Sequence, residues 1–119
     1  MATYFVASRE DLQIEASMLA DELTRRWPGV EFDERDDQRN RLRWVVPMPS
    51  GRRLSGDINP TGRGIDLDGD IYDAADFARW VRTQIPERYP LSFFDESYTD
   101  EVPLTAATTM EDLTQPFLA

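Results

Sequence analysis

The stretch that decides the fold is "RLRWVVPMPSGRRLSGDINPTGRGIDLDG", Arg41 to Gly69. Its apolar residues recur at every second position. Leu42, Trp44, Val46 and Met48 fall on one side of the chain, against Arg41, Arg43, Val45 and Pro47 on the other. Leu54 and Ile58 share a face in the next run, and Ile65 and Leu67 in the one after. A period of two puts alternate side chains on opposite faces of a strand. Pro49–Gly51 and Asn59–Gly62 supply turn residues between the runs. Upstream, "VEFDERD" sets Val30 and Phe32 against Glu31 and Asp33, with a polar break at Asp36–Asn40. Four consecutive strands joined by short turns predict an antiparallel meander.

The flanks add helices. "TYFVAS", Thr3–Ser8, reads as a first strand. Ser8 with Asp11 resembles a capping box, and Leu12, Ala16, Leu19, Leu23 and Trp27 follow as the stripe of an amphipathic helix ended by Pro28-Gly29. Asp73 and Asp76 repeat the cap pattern. Behind them Ala74, Phe77, Ala78, Val81 and Ile85 form a second stripe, stopped by Pro86. Leu91–Asp95 reads as a last strand, "DEVPLTAA" as a loop, and Thr109 as the cap of a short final helix. The order β-α-β-β-β-β-α-β predicts an α+β, two-layer sandwich. A mostly antiparallel sheet carries two helices packed on one face, in a single domain over residues 1–119. The other face is expected to be solvated, or partly covered by the tail.

Composition narrows the chemistry. The chain has no His and no Cys, and all thirteen of its cations are Arg. Schiff-base and P-loop chemistry need Lys, and the Ser-His-Asp and Cys-His devices need His. Zinc held by His or Cys is likewise excluded. Carboxylate chemistry, assisted by Arg or Tyr, is what remains. No apolar run reaches the roughly 18 residues of a membrane span, and "MATYFVASRED" lacks the basic and apolar regions of a signal peptide. A cytoplasmic location is the expectation. The net charge is −10 and unevenly spread: −5 over residues 1–34, +4 over 35–63 and −9 over 64–119. Such a chain repels nucleic acid and anionic membranes, and it attracts basic partners.

"GRGIDLDGDIYDAAD" holds Asp66, Asp68, Asp70, Asp73 and Asp76. The haloacid-dehalogenase nucleophile pattern D-x-D-x-T/V fails at Asp70, and the Lys which that chemistry uses is missing. An EF-hand counted from Asp66 fails at Ile71 and Phe77, where Gly and Glu are required. Alternation instead turns Asp66 and Asp68 outward beside inward Ile65 and Leu67, and gives Asp70, Asp73 and Asp76 to a turn and a helix start. "FFDESYTDEV", Phe93–Val102, mixes carboxylates with aromatics, the composition of a hot spot for a basic partner. Two carboxylates for glycoside hydrolysis can be drawn from it, but a chain of 119 residues has little room for the cleft. Arg35, Arg39, Arg41, Arg43, Arg52 and Arg53 lie near Trp44. Trp44 is in register with the core, so these Arg are expected to pair across strands with Asp33, Asp57 and Asp66.

The second half also shows an aromatic-x-x-Trp step (Phe77, Trp80), then Pro86. A strand follows that ends in Asp95-Glu96, with Tyr98 two residues on and the pair Thr108-Thr109 beyond. Over about 40 residues this resembles small acidic bacterial immunity-type proteins of toxin–immunity systems. The resemblance implies a non-enzymatic inhibitor that neutralises a cognate toxin by occluding its basic active face, without cofactor or metal. Asp66, Asp68, Asp70, Phe94, Asp95, Glu96, Tyr98, Asp100 and Glu101 are the expected partner-binding residues, converging at one end of the sheet. The alternatives are a phage-type anti-defence or DNA-mimic protein, and a weak divalent-metal-binding module or carboxylate enzyme.

Overall fold

The computed structural model describes residues 2–33 and 42–118. The elements are β1 (Ala2–Ala7), α1 (Ala16–Arg26), β2 (Glu31–Phe32), β3 (Arg43–Pro47), β4 (Arg53–Ile58), β5 (Gly64–Gly69), α2 (Ile71–Gln84), β6 (Leu91–Asp95), β7 (Glu101–Leu104) and α3 (Met110–Thr114). A 3₁₀ turn, Gln115–Phe117, follows α3. The seven strands form one antiparallel sheet in the order β2-β3-β4-β5-β1-β6-β7. This is the expected α+β sandwich, with the meander β2–β5 intact and β1 inserted beside β5. No helix among the described residues is long and apolar enough to cross a membrane.

The period-two pattern sets the layers. Tyr4, Val6, Trp44, Val46, Leu54, Ile58, Ile65, Leu67, Leu91, Phe93 and Leu104 are buried on one face. The apolar stripes of the helices close over them: Leu19 and Leu23 from α1, Phe77, Ala78 and Val81 from α2, and Leu113 from α3. Trp44 lies directly across from Gly56. Its ring fills the space that a side chain would take there; a Cβ at Gly56 would come within 2.7 Å of the indole. Phe77 stacks on Trp44 at 5.9 Å, and Trp27 stacks on Phe77 at 5.1 Å. Sheet, α2 and the end of α1 are thereby joined through one aromatic column.

Two polar clamps orient the helical layer. Asp70 caps α2 by accepting from the amides of Tyr72 and Asp73, and Asp73 itself is buried. Arg52, on the β3–β4 turn, donates to Asp73 at 3.2 Å and to Asp70 at 3.3 Å, and Ser50 adds a bond to Asp73 at 3.1 Å. At the other end of α2 the buried Arg82 guanidinium donates only to backbone carbonyls, those of Ile85, Pro86, Tyr89 and Leu104. They lie at the end of α2, in the turn after it and at the base of β6 and β7, where a helix C-terminus leaves carbonyls in need of donors.

Several local expectations are corrected. Ser8 and Asp11 do not start a helix. The Ser8 hydroxyl accepts from the Glu10 amide, Asp11 pairs with Arg63, and the Ile14 amide donates to the Gly62 carbonyl. The segment before α1 is thus tied locally at Glu10 and to the β4–β5 turn at Asp11 and Ile14, and α1 begins at Ala16. The cap of α2 is Asp70, with Asp73 one turn inside. Glu101–Leu104 is strand β7 rather than loop; Pro103 is tolerated because an edge strand needs no amide there. The tail does not cover the open face: α3 is capped by the Thr109–Asp112 box as its sequence implies, and Phe117 packs edge-on against Tyr4 and Phe93 in the core layer.

Gly56→Ala drives a methyl group into the Trp44 ring. It is expected to cost about 1–3 kcal/mol, read as a lower denaturation midpoint at an unchanged m-value.

Candidate functional site

Among the described residues all helices lie on one face, and none of them covers the other, open face of the sheet. The strand registers place Arg43, Asp57, Asp66, Phe5, Phe94 and Glu101 in a single row across it. The row is basic at the β3 end, acidic in the middle and aromatic towards β7. Arg43 Nε stands 3.9 Å from Asp57, and Asn59 donates to Asp66 at 3.5 Å. The expected pairing of the strand arginines with acids holds for Arg43 and Asp57. Arg53 reaches Glu31 instead, at 3.0 Å, and Arg52 reaches the helix start. Arg35, Arg39 and Arg41 lie outside the described residues.

Three aromatic rings gather on this wet face. Phe5 stacks on Phe94 at 5.3 Å, and the Tyr98 ring lies 5.2 Å from Phe94 and 6.3 Å from Phe5. Tyr98 remains 70% exposed and adopts φ of 57°. A non-glycine residue in that left-handed region is strained. The loop holds it there: the Tyr98 amide donates to the Asp95 carbonyl, and the Asp95 carboxylate accepts from both the amide and hydroxyl of Ser97. The β6–β7 connection thus presents a tyrosine ring to solvent on top of two phenylalanines.

The expected partner-binding residues are sorted by this geometry. Asp68 faces Thr3 across β1 and accepts from its hydroxyl at 2.5 Å, while Asp95 faces Tyr4 from the other side of β1. Thr3 and Tyr4 point to opposite faces of β1, so Asp68 lies on the open face and Asp95 on the helical face; the expected convergence on one surface is not seen for this pair. Asp66 lies further down β5 beside Phe5. Asp70 is occupied by the α2 cap and Arg52. Glu101 sits across from Phe94 and accepts from Arg9 Nη2 through both oxygens, at 3.0 and 2.9 Å. Glu96 and Asp100 are exposed at the tip of the β6–β7 loop. Among the described residues no group of three or more acids is placed to hold a metal ion. Sequence reasoning missed Phe5 and Arg9. In "TYFVAS" both faces carry aromatic or β-branched residues, so alternation alone does not single out Phe5 as solvent-facing.

On the helical face, the acids near Tyr4 have an electrostatic trace. Burial pushes the Tyr4 phenol above its ordinary value of 10.0, and the charges of Asp95 and Asp70 push it further the same way. A raised folded value means that this contribution to stability is fully present below the unfolded pKa of about 10 and is lost as pH rises through the folded value. Tyr4→Phe is therefore expected to match the wild type at neutral pH and to lose less stability above about pH 10, as measured by urea melts across that range.

Tyr98 gives a second check. Tyr98→Ala and Tyr98→Gly remove the same ring, but only glycine is at ease at φ of 57°. The glycine variant is expected to be the more stable of the two by about 1 kcal/mol, the reverse of the usual helix or strand order.

Compared with known proteins, the chain matches no family model, no curated protein and no solved structure.

Proposed function

We propose that this chain is a non-enzymatic, cytoplasmic binding protein that docks a basic surface of a protein partner on its open sheet face, as an immunity-type inhibitor occludes the active face of a toxin. The observation that carries this reading is the Phe5–Phe94–Tyr98 cluster, which stands on the solvent side of the sheet among carboxylates. Exposed aromatics bordered by charge supply both parts of a protein interface: a desolvated anchor and a polar rim. The net charge of −10 supplies long-range attraction to a basic partner. A rigid antiparallel sheet keeps the anchor in place, so little ordering entropy is lost on docking.

The partner is sought first in the adjacent gene, as a protein with a basic, toxin-like domain. Against that protein, association is expected to slow about tenfold between roughly 0.05 and 0.5 M salt, because screening shortens the reach of the acidic face. Glu96→Lys with Asp100→Lys, both exposed on the loop, is expected to slow association by a similar factor, while dissociation changes less. Stopped-flow or surface-resonance kinetics read both quantities. An association rate indifferent to salt and to the double reversal rules this surface out.

A further inference from the structure

Resting on that docking reading, we infer that the cavity beside Tyr98 receives one arginine side chain from the basic partner, and that this arginine takes over the Glu101 carboxylate that Arg9, at the cavity wall, holds in the unbound chain. The cavity is about 290 Å³ and is lined by Ala7, Ser8, Arg9, Phe94, Tyr98 and Glu101. It lies at the low end of pocket sizes, below the roughly 300–1,000 Å³ of drug-sized sites, and suits a single long side chain. Its floor is low because Ala7 and Ser92 pair across β1 and β6, one step along from the bulky pair Phe5 and Phe94.

The chemistry of the walls selects the occupant. Phe94 and Tyr98 offer ring faces, and Glu101, directly across from Phe94, offers a carboxylate. A flat guanidinium uses both at once, stacking on the rings while its fork donates to the carboxylate. A lysine ammonium, compact and strongly hydrated, uses them less well. An acidic side chain is repelled by Glu101, and an aliphatic one strips water from the ion pair without replacing its bonds. The ionic half of that contact is already present in the molecule: Arg9 Nη2 donates to both oxygens of Glu101. The Arg9 side chain is 87% exposed, so it is anchored by little else. Exposed ion pairs contribute little to stability, so the exchange of one guanidinium for another costs the fold almost nothing.

The test is a heteronuclear NMR titration of the full chain at low salt with three probes: blocked Gly-Arg-Gly, blocked Gly-Lys-Gly and an oligolysine peptide. The expected result is saturable, millimolar binding of the Arg peptide, with shifts centred on Ala7, Tyr98 and Glu101, and weaker binding of the Lys peptide. Arg9→Ala is expected to tighten the Arg peptide about twofold to fivefold, the range set by loss of an exposed competing ion pair. Glu101→Gln and Tyr98→Leu are expected to abolish the preference for Arg over Lys; Glu101→Gln keeps the side-chain shape, and the dispersion of each variant's own spectrum reports its folding. Equal shifts with both tripeptides, or no tightening in Arg9→Ala, overturns the assignment. If oligolysine moves the open face while the Arg peptide leaves the cavity unmoved, the arginine subsite falls and the docking reading stands. If no probe moves that face, both fall.

Discussion

The structure depends on one close approach, the indole of Trp44 lying on Gly56. Without a side chain at position 56 the ring lies flat on β4, at a height where Phe77 stacks on it and Trp27 stacks on Phe77. Aromatic rings have specific mutual geometry, so this column fixes more than distance. It sets where α2 sits above the meander and where α1 ends. Trp80 closes the column at its side, 5.0 Å from Trp27 and nearly perpendicular to it. Because α1, α2 and α3 all pack on the column's side of the sheet, the opposite face has no helix to cover it. The open face is thus a consequence of how the core is packed.

The open face and the helical layer divide the acids between them. Asp70, Asp73 and Asp112 are bound up with helix starts, through amide caps or Arg52. These positions hold negative charge where the helix dipole favours it. Asp66, Asp68 and Glu101 project from the sheet, and Glu96 and Asp100 stand on the loop beyond it. The negative charge of the chain therefore has two separate uses. One part is spent on architecture and is largely neutralised locally. The other lies on the open face and on the loop beside the aromatic cluster.

The meander was legible because its signal is strict: Trp44, Val46, Leu54, Ile58, Ile65 and Leu67 alternate without a break and all point inward. The stripe of α2 was legible for the same reason at a period of 3.6. What was not legible depends on contacts between distant segments. Leu12 is buried as its place in the stripe implies, yet the Ile14 amide is claimed by the Gly62 carbonyl and the Gln13 side chain by the Thr61 carbonyl, some 50 residues away, and the segment is not helical. Strand β7 hides behind Pro103, a residue that argues against a strand until the strand is known to be at an edge. For the site, the acids and Tyr98 were readable from composition. Phe5 and Arg9 were not, because their partners Phe94 and Glu101 are reached only through the sheet register.

Arg82 has a consequence for how such a protein diverges. Its guanidinium ties the base of the β6–β7 hairpin through the carbonyls of Tyr89 and Leu104, and the 95–101 loop forms the opposite end. Carbonyl oxygens belong to every residue, so the grip does not depend on which side chains the hairpin carries. The loop at the tip is then free to exchange acids, aromatics and even charge sign while the base stays fixed. A chain built this way can vary the exposed residues of that loop one at a time without renegotiating its stability at each step.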